Sequence, residues 1–594
     1  MEDLMRLLRG HVPRSHLLQI HARLLQLGAH RDNLVATRLI GQYSPSSALR
    51  VFYSLQNPNI FPFNAVIRVL ADEGLASKAF SIFKELQNRP LSPNGLTFSF
   101  LLKACSRYAV DQVCVRQLHT HILKSGLLSD YAVCNGLLTV YSAVIKDLRS
   151  AHRMFDEMPK RNLVGHWTSL ISGYAKLGLA EEVLNLFILM LSENLHPEKE
   201  TMVSILSACS KLATVYIEKW VNALTQCLND IKCDSLARDH VNTVLVYLYG
   251  KCRKVEKSRE LFDRISSDGK RSVLSWNTMI GAYVKNSRPI EALSVFKLMI
   301  TDYYCVPNHV TMVSVLSACA EIGDFELGKW VHEYMKTEGR KGVLSSNVIL
   351  ATALIDMYTK CGDLRSAKHV FTQITSIDVV LYNAMIMGLA VNGEAHEALR
   401  LYSRMHDLHL RPNSATFLGA LCACSHSGLL QRGREIFHSM IRENSASPGL
   451  EHYACYVDLL SRSGFIEEAL GVVGSMPMEP NNFVWGALLS GCMLHNRLEL
   501  AQNVSAMLVA VDPENSAGYV MLSNTLAADS QWRDVLKLRG LMRDKRVGKQ
   551  PGRSWINVGG VVREFVAGCG SFGEIGGIHE MMESLLKEMR LSSS

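Results

Sequence analysis

No apolar run in these 594 residues is long enough to cross a bilayer as a helix. The sequence is therefore read as that of a soluble protein with no membrane partner. Proline is scarce, at 16 in the whole chain, and the apolar residues recur with a helical rather than an alternating period. The 15 cysteines contain no CxxC pair, which removes the commonest metal-ligand and dithiol spacings and leaves cofactors without a motif. Charged residues amount to only 20% against 48% hydrophobic, a balance that excludes disorder. The formal charge of +8 accommodates a polyanionic partner without requiring one. Acids are nearly missing at the start: residues 1–59 hold seven arginines, no lysine, and only Glu2, Asp3 and Asp32. An arginine-rich, acid-poor start fits an organelle import signal. Because "LLQIHARLLQLG" at 17–28 already looks like folded material, such a targeting segment is very short.

What the chain has in abundance is itself. "PFNAVIRVLADEG" begins at Pro62, "HWTSLISGYAKLG" at His166, "SWNTMIGAYVKNS" at Ser275 and "LYNAMIMGLAVNG" at Leu381. The polar residues inside these phrases, Asn64, Thr168, Asn277 and Asn383, lie 104, 109 and 106 residues apart. In the unit Val379–Asn413, Tyr382, Met385, Ile386 and Leu389 make one amphipathic stripe; Ala398, Leu401, Tyr402 and Met405 make a second. "LRPN" then stops the second helix, because proline cannot continue it. Ile60–Asn94 repeats the plan with Phe63, Val66, Ile67 and Leu70, then Ala79, Ile82, Phe83 and Leu86. A third copy uses Trp276, Met279, Ile280 and Tyr283, then Ala292, Val295, Phe296 and Met299.

A helix pair this small cannot bury two stripes alone, so neighbours must stack. The expected fold is all-α: a right-handed superhelical α-solenoid of helix-turn-helix repeats, first helices on the concave side, with a small β-hairpin near the C-terminus. Two variant units separate the copies and account for the long period. One carries an "AC" phrase, as in "TMVSVLSACAEIGDFELGKWVHEYM" (311–335); the other is shorter, as in "TALIDMYTKCGDLRSAKHVF" (352–371). Cys105, Cys209, Cys319 and Cys424 recur in the "AC" phrases and are expected to be small, buried, reduced thiols. The phrases change at "VWGALLSGC" (484–492), "GYVMLSN" (518–524) and "KQPGRSWINV" (549–558).

On "ALIDMYTKCGDLRSAKHVF", "LEHYACYVDLLSRSG" and "VWGALLSGC", the chain resembles a plant pentatricopeptide repeat protein. The class is the one with alternating P, L and S motifs followed by E-type motifs, without a deaminase domain. Tetratricopeptide repeats, the nearest rival, have a stricter, shorter period and a W…LG…Y phrase that is missing here. The resemblance divides the chain into degenerate repeats and the targeting segment at 1–59, the repeat array at 60–481, E-type motifs at 482–558, and a tail at 559–594. That tail is similar to the family's E+ region, although Arg563, Cys569 and Phe572 replace residues usual there. "SWINVGGVVREFVAG" (554–568) supplies the expected hairpin, with Gly559–Gly560 at its turn.

One turn into the first helices, the same kind of side chain is presented repeatedly. Long closing units place Asn64, Thr168, Asn277 and Asn383 there; short units place Thr37, Asn135, Thr243 and Thr352. The "AC" units have Ser99, Val203, Val313 and Leu418. Asn and Thr are common helix caps, yet each precedes the rest of the stripe, and all but Thr243, which follows Asn242, come after an apolar residue. That position is inside the helix, where they cost propensity, and a partner is the better reason for them.

The resemblance implies that this residue and the last of the same repeat together select one base of single-stranded RNA. Carried over, the pairs are Thr37 with Asn59, Asn64 with Asn94, Asn135 with Asn162, Thr168 with Glu198 and Thr243 with Ser272. They continue as Asn277 with Asn308, Thr352 with Asp378 and Asn383 with Asn413. The implied bases, 5′ to 3′, are A at Thr37, pyrimidines at Asn64 and Asn135, and a purine at Thr168. Pyrimidine follows at Asn277, guanine at Thr352 and pyrimidine at Asn383. Glu198 and Ser272 depart from the family's Asp or Asn, and Thr243 is left without an assigned base. Phe61, Leu274 and Val380 would flank bases. The stretch 532–553, with eight Lys/Arg against Asp534 and Asp544, reads as a solvated basic helix or a contact surface.

Some relatives continue into a cytidine deaminase, whose zinc site needs HxE followed by CxxC. Here the one HxE is His196–Pro197–Glu198 at a repeat junction, and no CxxC follows it. The expectation is a monomer that binds RNA in a mitochondrion, or alternatively a chloroplast, and is not itself an enzyme. It would specify C-to-U editing sites for a deaminase-type protein acting in trans. RNA stabilisation or splicing is the alternative role, and a protein-interaction scaffold the third.

Overall fold

The computed structural model describes Leu8 and residues 12–566, apart from 108–110, 159–162, 231–234, 266–270, 303–304, 337–346, 375–377, 443–446, 515, 546, 549–551 and 559–560. It divides into two compact units, Met1–Asn286 and Ser287–Ser594. Each unit stacks the same helix pair repeatedly. In the first, Ile60–Asp72 is followed by Ala76–Gln87; in the second, Val379–Val391 is followed by Ala395–Asp407. The turn between partners needs one left-handed residue. Gly74 (φ 73°) and Gly393 (φ 82°) provide it without a Cβ penalty.

The stripes legible in sequence are the packed faces. Phe63, Val66, Ile67, Leu70, Ala79, Ile82, Phe83 and Leu86 are all buried, as are Tyr382, Met385, Ile386, Leu389, Ala398, Tyr402 and Met405. Leu401 is only half-buried. Each fully buried large side chain contributes about 1.5–3 kcal/mol, so a single pair gains most of its stability from its neighbours. First helices pack on first helices: Asn33–Ile40 on Ile60–Asp72, and that helix on Gly95–Arg107, in the first unit. Val348–Lys360 packs on Val379–Val391, and that helix on Ser414–Ser427, in the second.

Three recurring devices hold repeat to repeat. A second-helix phenylalanine meets the aromatic residue of the next first helix edge-on: Phe52–Phe63, Phe155–Trp167, Phe262–Trp276 and Phe371–Tyr382, at 4.8, 4.7, 5.1 and 5.0 Å between ring centroids. Each such pair adds about 0.5–1.5 kcal/mol beyond its buried area. At the far end of the first helices, a side chain from one repeat donates to a carbonyl at the helix end of the repeat before it. Lys251 Nζ reaches Leu212 O (2.6 Å), Asn286 Nδ2 reaches Gly250 O (2.8 Å), and Asn392 Nδ2 reaches Thr359 O (2.9 Å). Histidines of second helices bond a tyrosine within, or just past the end of, the following first helix: Nδ1 to hydroxyl is 2.8 Å for His21–Tyr43, 3.0 Å for His119–Tyr141 and 2.7 Å for His332–Tyr358.

Close approach of first helices depends on glycine. A Cβ at Gly388 would lie 2.4 Å from Thr359 Cγ2 and 2.8 Å from Thr359 Cβ. Gly388→Ala should therefore destabilise the second unit despite a helix-propensity gain of about 1 kcal/mol, because overpacking costs about 1–3 kcal/mol. Urea denaturation of the variant beside wild type measures the balance, and an unchanged or raised midpoint would contradict it.

After the last described helix, Trp532–Asp544, β1 (Arg553–Val558) pairs antiparallel with β2 (Val561–Val566), Ile556 opposite Arg563. Gly559 and Gly560, expected at the turn, and the tail with Cys569 and Phe572 lie outside the described residues. Among the described residues no helix is long and apolar enough to cross a membrane.

Candidate nucleic-acid interface

Thr37, Asn64, Asn135, Thr168, Asn277, Thr352 and Asn383 are each the fifth residue of a first helix. Their place is inside the helix, one turn from its start. The capping role falls instead to the residues paired with them. Asn59, Glu198, Ser272, Asn308, Asp378 and Asn413 occupy the N-cap of the following first helix. Asn162 lies outside the described residues. Ser99, Val203, Val313 and Leu418 are also fifth in their helices, so the register of the "AC" units is the same.

Two pairs are joined through a third residue. The Asn94 backbone N–H donates to Thr97 Oγ1 (3.1 Å), and the Thr97 backbone N–H donates to Asn94 Oδ1 (3.1 Å), a reciprocal capping box. This exchange fixes which end of the Asn94 amide is oxygen. Asn64 must meet that oxygen with its Nδ2 (3.0 Å), which turns Asn64 Oδ1 onto the Thr97 hydroxyl (2.7 Å). The second unit repeats the network. Asn383 Nδ2 donates to Asn413 Oδ1 (2.9 Å), and the Thr416 hydroxyl donates to Asn383 Oδ1 (2.6 Å). The Asn413–Thr416 capping box closes it. Thr97 and Thr416 are fully buried. Asn135 reaches the same state by another route: its Oδ1 accepts from the Ser169 hydroxyl at 2.7 Å.

The threonines behave oppositely. Thr37, Thr168 and Thr352 each donate their hydroxyl proton to the carbonyl four residues back, at 2.6, 2.9 and 2.8 Å. Thr168 Oγ1 also lies 2.6 Å from buried Thr201 Oγ1, and with its own proton committed it is the acceptor there. Thr352 and Asp378 are half-buried, and Asp378 accepts from Val380 N–H at 3.3 Å. Thr243 differs. It is the ninth residue of a longer helix, Ser235–Lys251, is buried, and is held by Asp239 O (2.8 Å) and the Ser275 hydroxyl (2.9 Å). Ser272 caps the next helix through Ser275 N–H at 3.2 Å. Asn277 belongs to the first unit; Asn308 belongs to the second, where it forms a capping box with Thr311.

Phe61 and Val380 are 57% and 51% exposed at the second position of their helices, and Leu274 is half-buried. Leu34 and Ile349, which the sequence reading did not single out, are exposed at the same position. The buried hydroxyls of Thr97, Thr201 and Thr416 and the half-buried one of Ser169 were missed as well. Their signal was present in the N-x-x-T spacing of Asn94–Thr97, Asn308–Thr311 and Asn413–Thr416, a capping-box pattern.

The cysteines of the "AC" phrases are buried free thiols. Burial pushes the thiols of Cys105, Cys209 and Cys424 up to about 12 and raises that of Cys319 too, so none carries a reactive thiolate near neutrality. Among the described residues no group of His, Cys, Asp and Glu could hold a metal ion. On Trp532–Asp544, Lys537 pairs with Asp534 (2.9 Å), Arg539 Nε meets Ser523 Oγ (3.3 Å), and Trp532 and Leu536 stand exposed.

This stack matches known proteins along nearly its whole length. The model of the PPR repeat family matches residues 58–107 and 377–426, and that of the PPR repeat matches 165–195, 243–269, 274–303 and 350–379. The E motif matches 495–557. The chloroplastic pentatricopeptide repeat-containing protein At1g08070 of Arabidopsis thaliana is 35% identical over 96% of this chain and 80% of its own length. The mitochondrial At2g22410 of the same plant is 34% identical over 98% of this chain and 88% of its own. Among solved structures, the pentatricopeptide repeat protein PPR10 in complex with an 18-nt psaJ RNA element covers 89% of this chain and 81% of its own. Its TM-score is 0.54 at 17% identity, a likeness of fold. Repeats matched in both units, an E motif after them and relatives that align with nearly all of this chain place it in the pentatricopeptide repeat family, as a member that carries an E motif.

Proposed function

We propose that the protein binds single-stranded RNA in a plant organelle, reading bases through the paired residues, and directs C-to-U editing by recruiting a deaminase. The observation that carries this reading is the opposite polarity of the two kinds of fifth-position residue. With its oxygen occupied by Thr97, Ser169 or Thr416, an asparagine offers N–H. N–H matches the ring carbonyl and acceptor nitrogen of a pyrimidine. With its proton committed to its own helix, a threonine offers a lone pair, which matches the amino and imino hydrogens of a purine. A base of the wrong polarity leaves a desolvated group unpaired, at about 1–3 kcal/mol. Exposed Phe61, Val380, Leu34 and Ile349 would lie against base faces.

PPR10 is described in complex with RNA, and editing is favoured over stabilisation or splicing by the E motif at 495–557. Relatives labelled mitochondrial and chloroplastic support an organelle. The arginine-rich residues 1–59 favour the mitochondrion. Thr243, ninth in its helix and paired with Ser272 rather than Asp or Asn, is assigned no base. The basic helix Trp532–Asp544, with exposed Trp532 and Leu536, is the surface assigned to the protein partner, a deaminase-type pentatricopeptide repeat protein.

Sequencing of organellar transcripts from a plant lacking the protein tests the role. Loss of one or a few editing events, with transcript levels and splicing intact, is expected; unchanged editing would refute it. The purified protein should not deaminate cytidine in bound RNA, with or without zinc, since its HxE at His196–Glu198 is followed by no CxxC. Conversion of cytidine to uridine by protein and RNA alone would overturn that assignment.

A further inference from the structure

We infer that the hydroxyls of Thr97, Ser169 and Thr416 are specificity determinants that act without touching RNA. Each fixes which edge of a neighbouring asparagine faces the base. The inference rests on the base-reading assignment above and adds residues from the following repeat to it.

An asparagine amide has two ends of nearly equal shape and opposite polarity. Unrestrained, Asn64 or Asn383 could turn either end outward, and one repeat would then accept bases of both polarities. In three repeats a hydroxyl of the next first helix settles the choice. Thr97, Ser169 and Thr416 lie 2.7, 2.7 and 2.6 Å from the side-chain oxygens of Asn64, Asn135 and Asn383. Each hydroxyl already accepts the backbone N–H of its N-cap asparagine, at 3.1 and 3.0 Å. Of the two oxygens its proton can reach, the reader oxygen, at 2.7 and 2.6 Å, is nearer than the N-cap side-chain oxygen at 3.1 Å. The N-cap asparagine is likewise locked, its oxygen held by a backbone N–H at 3.1 Å in both repeats. Flipping Asn383 would set its oxygen against the Asn413 oxygen and forfeit the short bond from the Thr416 hydroxyl. Both Thr97 and Thr416 are fully buried, so solvent cannot take the hydroxyl's place. The polarity of a repeat is thus written partly in the repeat after it.

The test uses the full chain with an RNA set in which each position is varied through four bases. Thr416→Val keeps the shape of the side chain and removes the hydroxyl; Thr416→Ser keeps the hydroxyl. Ser169→Ala removes an orienting hydroxyl that belongs to no capping box. Wild type should prefer pyrimidine over purine opposite Asn383 by about tenfold, the usual scale for one mismatched base. Thr416→Val should lower that ratio clearly, the Asn413 oxygen alone then holding the amide, while the ratio opposite Asn64 is unchanged. Thr416→Ser should retain the wild-type ratio, and Ser169→Ala should level the ratio opposite Asn135 alone. Undiminished selectivity in Thr416→Val and Ser169→Ala would overturn the inference and leave base reading standing. Equal loss in Thr416→Ser and Thr416→Val would also overturn it, since packing rather than the hydroxyl would then be responsible. Absence of any preference opposite Asn383 in wild type would overturn the base-reading assignment itself.

Discussion

Thr352→Asn should move the base preferred by its repeat from guanine to uridine, with affinity for a correspondingly changed RNA close to that of the original pair. Thr352 spends its proton on Val348 O at 2.8 Å, and Asp378, a carboxylate, can only accept. Two acceptors side by side match guanine, whose pairing edge has adjacent imino and amino hydrogens. The substitution replaces one acceptor with an amide. Its N–H is drawn toward the Asp378 carboxylate or the base, since the third residue of the next repeat is the buried, apolar Leu381 and offers no hydroxyl. A donor beside an acceptor matches the carbonyl and imino hydrogen of uracil. The helix tolerates the change, because Asn383 occupies the same fifth position in the next repeat. Each mismatch costs about 1–3 kcal/mol, so the preference between guanine and uridine should reverse by two or more orders of magnitude. Gel shifts with all four bases opposite this repeat decide it. Wild type that does not prefer guanine there would remove Thr352 and Asp378 from the reading set.

How much of this was legible follows from what the pattern encodes. The stripes Phe63–Val66–Ile67–Leu70 and Tyr382–Met385–Ile386–Leu389 were plain because burial selects one face of a helix, and a face has a period. The fifth-position residues stood out because a polar side chain interrupts that period. The partners of those residues were harder. Asn94 and Asn413 read equally well as loop ends, and their double duty as cap and amide partner needs two chain segments thirty residues apart to be seen together. Thr97 and Thr416 sit at buried positions where a threonine looks like any small core residue. Thr243 has the right phrase around it, but its helix begins four residues earlier than those of the other repeats, and the side chain is buried. Repetition in sequence gives the ladder; only the register between rungs says which polar atom is already taken.

That register also has a dependence on pH, and its largest expected expression is at His332. The ring lies buried between repeats, Nδ1 2.7 Å from the Tyr358 hydroxyl, with Lys336, Glu333 and His369 as the charged and titratable groups nearest it. Burial first, and Lys336 second, lower its pKa from 6.5 to about 4, while burial raises Tyr358 to about 12. The folded ring is therefore neutral at pH values where an unfolded one is already charged. The unfolded chain binds more protons between pH 6.5 and 4, so stability is full above the unfolded value and is lost as pH falls toward the folded one. A shift of this size corresponds to about 3 kcal/mol. His332→Gln, which can still bond Tyr358 but cannot become charged, should lose this part of the acid sensitivity. Thermal melting of both proteins between pH 7.5 and 4.5 isolates it, since the carboxylates and the remaining histidines are common to the two. The wild-type curve should fall away more steeply below pH 6.5, and the difference should be concentrated in the second unit. Hydrogen exchange in the helix Val348–Lys360, corrected for its intrinsic pH dependence, reports that locally. Parallel curves would mean that the Tyr358 contact holds the ring equally well when charged, and that the junction between these repeats is not the acid-labile one.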